Sequence, residues 1–335
     1  MQVLRSLDKE DWRDFVVEHP EGNVFHAPEM FEVFERAQGY RPELWAVTAD
    51  NGEILALLLP VWVTLWGGLL RRLTSRAVAY GSVLCNHGLA NHEALDALLQ
   101  AYVQEVGSKV LFTELRNLSD LSPFQPVLNG CGFAYEEHLN YLIDLDRPVE
   151  DIMQGIGSRT RKNIRRGLRR EEVVVDEVAN REEVSICYSL LRRTYAAAQV
   201  PLADYSLFEA AFDVLHPKDM IRFVLARVDD AYVATSVELL YKDVVYGWYG
   251  GVDRAYSRYN PNELLMWHIL RWSAENGYRT YDFGGAGRPD EEYGVRDFKA
   301  KFGGELVCFG RNTYIHNRPL MGLSQWAYSL YRKIL

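Results

Sequence analysis

Tyr281-Asp282-Phe283-Gly284-Gly285 and, after a short polar link, Gly294-Val295-Arg296-Asp297-Phe298-Lys299-Ala300-Lys301-Phe302-Gly303-Gly304 are the most informative segments of the chain. A β-type run ending in two glycines lets the backbone turn sharply or approach a ligand closely. Before it, residues 261–275 carry a helical pattern, with Pro261 at the start and Asn276-Gly277 at the stop. After it, residues 305–315 return to a strand pattern. Lys299 is therefore expected in a loop, between aromatics and glycines. A lysine there can hold a fixed positive charge at a cleft. Such a charge stabilises the oxyanion formed when an amine attacks an ester or thioester carbonyl. Composition alone leaves the plainer reading open, that Lys299 and Lys301 are ordinary surface charges.

The flanking segments repeat one scheme. In the second half, a strand over 173–178 leads to helices over 181–198 and 206–215, then to strands over 221–228, 232–241 and 244–250. In the first half, helices over 7–18 and 27–38 precede strands over 44–48 and 54–65. Asp50-Asn51-Gly52 between those strands is a strong hairpin signal. A strand over 78–84, a helix over 93–106 stopping at Gly107, a strand over 110–115 and a closing strand over 135–145 complete that half. This order predicts an α/β (α+β) chain of two like-folded domains that face each other across a cleft. The expected boundaries are 1–146, a basic connecting helix over 147–170 that follows Arg147-Pro148, and 171–335.

With 335 residues the chain is too long for one ordinary core. It is 48% hydrophobic and 25% charged, as a globular protein is. A net charge of -9 disfavours wholesale coating of nucleic acid but leaves room for a local basic site. Cys85, Cys131, Cys187 and Cys308 form no CxxC pair, so reduced thiols and no metal site are expected. His87 and His92 lack a carboxylate or cysteine at metal spacing. Residues 1–18 are charged and lack the apolar core of a signal peptide. Residues 54–70 are uncharged and nearly long enough to span a bilayer. Pro60, Gly67-Gly68 and the β-formers among them favour two strands turning at the glycines. No transmembrane segment is expected, and the protein reads as cytoplasmic. A last amphipathic helix is expected to run from Leu320 to Ile334. It carries Trp326 among its apolar residues. Docking on the protein outweighs peripheral membrane contact for a helix of that length.

Residues 158–170 contain Arg159, Arg161, Lys162, Arg165, Arg166, Arg169 and Arg170. On a helix Arg161, Arg165 and Arg169 share one stripe. Either a phosphate partner (tRNA or a nucleotide-sugar diphosphate) balances this repulsion, or the face is solvated and paired with acidic surface. Both readings stay open at this point.

Several motifs together resemble the Fem-type peptidoglycan interpeptide-bridge aminoacyltransferases and their relatives with tandem GNAT-like domains. They are Tyr249-Gly250-Gly251, then Leu265, Trp267 and Ile269 within the helix, then Gly277, Tyr281 to Gly285, Phe298-Lys299 and Phe302-Gly303-Gly304-Glu305. They cover the C-terminal third closely, and the order of elements extends the likeness over nearly the whole chain. The resemblance implies transfer of an aminoacyl group from charged tRNA to an amine of a cell-wall or envelope precursor. It makes Phe298-Lys299 the catalytic pair. Tyr249, Asp282, Gly284, Gly285 and Asp297 become expected substrate contacts, and Arg159, Arg161, Arg165 and Arg169 the basic helix. It also implies no tightly bound cofactor, with aminoacyl-tRNA or acyl-CoA as co-substrate. Thr194-Tyr195-Ala196-Ala197 departs from the pattern, because alanine stands where a Thr-x-x-Arg motif has arginine. That departure puts recognition of a nucleotide-linked precursor in doubt.

A CoA-binding acyltransferase would present a glycine-containing loop whose amides cradle pyrophosphate at a helix start. Arg258-Tyr259-Asn260-Pro261 contains no glycine, and Cys85-Asn86-His87-Gly88 also fails. Acyl-CoA-dependent N-acylation of an amino sugar or polysaccharide precursor is therefore the alternative. A non-catalytic binding module on the same fold is the third reading. Asp282 and Asp297 are the acidic candidates for a general base.

Overall fold

The computed structural model describes residues 1–64, 74–86 and 88–324. His87, the expected turn at Gly67-Gly68 and the last helix beyond residue 324 lie outside the described residues. Residues 318–324 are helical. No helix among the described residues is long and apolar enough to cross a membrane.

The chain forms two compact units: Met1–Glu137 with Phe309–Leu335, and His138–Cys308. The division differs from the expected boundaries because two expected strands each divide. The run over 135–145 becomes Ala134–Glu136 in the first unit and Leu139–Asp144 in the second. The run over 305–315 becomes Glu305–Cys308 in the second and Arg311–Ile315 in the first. Gly310, at φ 71, interrupts the second run in the left-handed region. The expected connector over 147–170 is two helices, Val149–Gly155 and Ser158–Arg170, and both belong to the second unit.

In the first unit Asp8 caps helix Lys9–Glu18 by accepting from the Glu10 amide at 2.8 Å. Pro28 opens helix Pro28–Arg36. The hairpin at Asp50-Asn51-Gly52 joins Trp45–Thr48 to Ile54–Leu58, with Gly52 at φ 89. The expected single strand over 54–65 breaks around Pro60. Ile54–Leu58 pairs with Val83–Cys85 in a four-stranded sheet. Val61–Thr64 pairs with Tyr40–Pro42 and Ser75–Ala79 in a six-stranded sheet that also contains Phe112–Arg116, Arg311–Ile315 and Ala134–Glu136. Helix Leu89–Val106 buries Leu95, Leu98 and Tyr102 in the unit's core.

The second unit is built on a seven-stranded sheet. Its order is Val173–Glu177, Ile221–Val228, Ala231–Tyr241, Val244–Val252, Thr280–Asp282, Leu139–Asp144 and Glu305–Cys308. Every pair is antiparallel except Val244–Val252 with Thr280–Asp282. A parallel pair needs a crossover, and helix Pro261–Glu275 supplies it. That helix buries Leu264, Leu265, Trp267 and Leu270. The absence of a side chain at Gly167 lets helix Ser158–Arg170 pack on it, since a Cβ there would lie 2.6 Å from Leu264 Cδ1. The parallel register runs only from Val244↔Thr280 to Tyr246↔Asp282, after which the strands part. A ladder irregularity between Val237 and Glu238 falls at the same level, with Glu238 opposite Gly247. Ligands of open α/β sheets bind beyond the carboxyl ends of parallel strands, where topology switches.

Candidate active site

The parting of the parallel strands leaves Phe283, Gly284 and Gly285 to turn away from the sheet. Gly284 is at φ 73, and a Cβ there would lie 2.7 Å from the Gly247 carbonyl oxygen and 3.0 Å from the Tyr246 hydroxyl. No residue with a side chain fits that position. Asp282, at the strand end, is buried. Its Oδ1 accepts from the Gly284 amide at 2.7 Å and from Asn140 Nδ2 at 2.7 Å. Asn140 Oδ1 in turn accepts from the Gly285 amide at 2.8 Å. The glycine turn is therefore held from a strand far away in the sequence.

Lys299 lies on helix Gly294–Ala300 rather than in a loop. Their i, i+3 spacing on the α-helix places Arg296 and Lys299 on one face, while Asp297 and Ala300 are exposed. The Lys299 side chain is buried at 9% exposure. Its Nζ donates to the Phe283 carbonyl at 2.5 Å and also to the Gly285 carbonyl. Burial pulls the ammonium down to about 8, opposed by the charges of Asp282 and Glu238. Lys301, two residues on, is exposed. One lysine of the motif is thus a buried group and the other a surface charge.

Sequence reasoning missed a third layer. Glu238 is 1% exposed on strand Ala231–Tyr241 and accepts from the Tyr281 hydroxyl at 3.1 Å and from Ser236 Oγ. Burial pushes its carboxyl up to about 7, against those hydrogen bonds and the charges of Arg222 and Lys299. Burial likewise raises Asp282 and Tyr281 above their usual values. A carboxylate within the apolar run Val237 to Leu240 was the available signal.

The other expected residues divide. Phe298 is half-buried and packs edge-on against Phe302 at 5.2 Å between centroids. Asp297 is exposed on the helix face away from Lys299. Tyr249 joins a separate aromatic cluster, 4.8 Å from Phe208 and 5.9 Å from Tyr195. Thr194 bridges helix Arg181–Ala197 to the end of strand Val244–Val252, accepting from the Val252 amide at 3.0 Å.

The basic helix is physically joined to the Phe-Lys segment. The Gly157 amide donates to the Lys301 carbonyl at 2.8 Å. A Cβ on Gly303 would lie 2.0 Å from the Gly155 carbonyl oxygen. Along the helix, Arg161 donates to the Gln154 carbonyl at 2.5 Å, Arg165 pairs with Glu150 at 2.9 Å, and Arg170 with Glu172 at 3.6 Å. Arg159, Lys162 and Arg169 are exposed and have no acidic partner among the described residues. A shallow, open concavity of about 730 Å³ lies in the first unit, lined by Gln2, Asp8, Asp11 and Thr48 among others, and contains none of the candidate residues.

The family model described as an acetyltransferase (GNAT) domain matches residues 158–299, which contain the basic helix, Glu238, Asp282 and Lys299. The lipid II:glycine glycyltransferase of Staphylococcus epidermidis is 22% identical over 395 residues, covering 92% of each chain. The crystal structure of FemX superposes with a TM-score of 0.74 at 18% identity, covering 96% of this chain and 99% of that one. A tandem GNAT protein from the clavulanic acid biosynthesis pathway superposes with a TM-score of 0.60 at 12% identity, covering 94% and 98%. These structures share the α/β architecture of two GNAT-like halves expected from the sequence. The chain is an acyltransferase of tandem GNAT-like fold, similar along most of its length to these Fem-type proteins.

Proposed function

We propose that the protein forms an amide by moving an aminoacyl group from aminoacyl-tRNA to an amine of a lipid II-type cell-wall precursor. The observation that carries this reading is the buried Lys299 ammonium at the glycine turn. It occurs in a chain similar along 92% of its length to a lipid II:glycine glycyltransferase. An ammonium has three N–H donors. Two are engaged by the Phe283 and Gly285 carbonyls, which leaves one for a substrate. The acceptor amine attacks the ester carbonyl carbon, and the carbonyl oxygen gains the negative charge. The remaining Lys299 donor stabilises that oxyanion, in surroundings dry enough to strengthen the interaction. Collapse of the tetrahedral species forms the amide and expels the ribose oxygen of the tRNA terminus, which takes up the proton lost by the amine. Burial of Asp282 and its two hydrogen bonds suit it to holding the turn rather than to taking that proton.

Arg159, Lys162 and Arg169, exposed and without acidic partners, suit a phosphate-rich donor. An acceptor anchored in lipid would bring the protein to the cytoplasmic face of the membrane. The match to a GNAT acetyltransferase model favours a second reading, acyl-CoA-dependent N-acylation. Against it, helix Pro261–Glu275 starts at Asn260 in the left-handed region, φ 54, with proline in place of one amide donor.

The test is transfer of radiolabel to purified lipid II from single charged tRNAs and, in parallel, from acyl-CoA donors. The expected result is labelled lipid II with aminoacyl-tRNA alone, slowed about 10²–10³-fold by Lys299→Met. Labelling from acyl-CoA alone would establish the second reading, and no labelling from either donor would remove both.

A further inference from the structure

The segment Phe283 to Pro289 contains three glycines at positive φ: Gly284 at 73, Gly285 at 104 and Gly287 at 76. Such backbone is costly to order, and it holds the two carbonyls that grip the Lys299 ammonium. Of its other carbonyls, that of Gly287 accepts from the Leu139 amide at 2.9 Å, and three are collected by one side chain. Arg296 Nε donates to the Ala286 carbonyl at 2.8 Å, Nη1 to the Pro289 carbonyl at 3.4 Å, and Nη2 to the Arg288 carbonyl. Arg296 stands one turn before Lys299 on the same helix face. One short helix therefore supplies two cations that together hold five carbonyls of the turn.

Acidic partners are at hand, since Asp290, Glu291 and Glu292 are close in sequence. Asp290 instead pairs with Arg288 at 3.3 Å, and no carboxylate among the described residues pairs with Arg296. The rigid fork of a guanidinium can serve several acceptors at once, which a point donor cannot do. Gly287 completes the fit, since a Cβ there would lie 3.0 Å from the Tyr293 ring and 3.4 Å from Arg296 Nη2.

We propose that Arg296 is a positioning residue: by clamping the Ala286, Arg288 and Pro289 carbonyls it fixes the turn whose Phe283 and Gly285 carbonyls orient the Lys299 ammonium. The inference rests on the role given to Lys299 under Proposed function, but its test does not depend on turnover. Competitive acylation of lysines with acetic anhydride, read by mass spectrometry across pH, reports the reactivity of Lys299, with Lys301 as internal control. In Arg296→Ala the expected result is labelling of Lys299 at least tenfold faster near neutral pH. Lys301 should be unchanged, and amide exchange should be faster over residues 284–293 but not over Ile221–Val228. Arg296→Lys, which keeps the charge but loses the fork, is expected to fall between, and it decides the question if the alanine variant does not fold. Where wild-type transfer is measurable, kcat should fall with donor KM unchanged. Unaltered Lys299 labelling and loop exchange in both variants would overturn the proposal, even if transfer activity is established. Absence of transfer in the wild type would overturn the functional reading alone.

Discussion

Each unit holds a glutamate in the middle of a sheet, Glu114 half-buried and Glu238 fully buried, and the two have opposite fates. Glu114, on strand Phe112–Arg116, accepts from Arg116 Nε at 2.6 Å and Arg311 Nη1 at 3.2 Å. Burial pushes its carboxyl up, but Arg116, Arg311 and Arg76 together outweigh that and hold it at about 2. Glu238 has hydroxyl partners instead, and burial leaves it at about 7 beside a lysine at about 8. A carboxylate among guanidiniums is a fixed charge at any physiological pH, which suits structure. A carboxylate and an ammonium that both titrate near the working pH mark a site where protonation can matter. The contrast supports the site proposed in His138–Cys308 and suits Glu114 to holding strands together.

The largest expected effect would break that contrast outright. Lys299→Met should lower turnover by about 10²–10³-fold, the usual loss for one oxyanion donor. Retained turnover would leave the second unit with no more chemistry than the first. In the proposed mechanism the charged form is the active one, so wild-type activity should fall about tenfold per pH unit above about 8. Stability should move the other way. The folded state releases this proton more readily than the unfolded chain, so the cost of burying the charge is complete below about 8 and is relieved between there and the ordinary lysine value of 10.5. Thermal melts of the wild type should gain about 3 kcal/mol across that window, relative to a Lys299→Met variant that lacks the rise.

Next comes Glu114→Gln, which leaves the neighbouring arginines without their carboxylate. A cost of about 2–3 kcal/mol is expected in urea unfolding, at the low end for broken buried pairs because Arg116 and Arg311 are partly exposed. Turnover per folded molecule should be unchanged. A loss of turnover without a loss of stability would reverse the roles given to the two glutamates.

How far this contrast could be read beforehand depends on the range of the interactions involved. Alternation along a strand tells which face a side chain takes, not which strand lies next to it. The order of elements was therefore legible, and so was the importance of Lys299 once its motif was recognised. The pairing of Leu139–Asp144 beside Thr280–Asp282, which brings Asn140 to Asp282 across 142 positions, was not. The same non-local pairing draws Arg311–Ile315 into the first unit's sheet and supplies Arg311 to Glu114. In the sequence Gly294, Gly303 and Gly304 bracket Lys299 and read as the limits of a loop. Burial of Phe302 and Lys299 instead stabilises a short helix against the glycine turn. The glycines mark the ends of that helix rather than its absence.

A smaller effect is expected from Glu238→Gln. The glutamate is harder to ionise folded than unfolded, so stability should fall as pH rises from the ordinary glutamate value of 4.5 to about 7, with the cost complete above that. The variant should lack this slope and melt higher than the wild type at pH 8, by about 1–2 kcal/mol once some loss of hydrogen bonding is allowed for. Loss of a nearby negative charge should also ease deprotonation of Lys299, moving the alkaline fall in turnover to lower pH by about half a unit. If melting and turnover profiles both match the wild type, Glu238 is as inert as Glu114.

The smallest effect concerns the basic helix. Replacing Arg159, Lys162 and Arg169 together by glutamine removes like charges that have no acidic partner, so stability should rise by a few tenths of a kcal/mol, about what relieved repulsion on a helix provides. If these side chains meet the phosphates of a tRNA donor, KM for that donor should rise several-fold while kcat holds. The slope of log KM against log salt should flatten by about two, since each lost phosphate contact removes about 0.7–0.9 of slope. The Gly157 amide and the Gly303 turn, which tie this helix to the Phe-Lys segment, are untouched by the substitutions. A fall in kcat would therefore mean that the cations act at Lys299 rather than at the donor's phosphates. An unchanged salt slope would leave the helix as a solvated face, with substrate recognition resting on the glycine turn and its buried lysine.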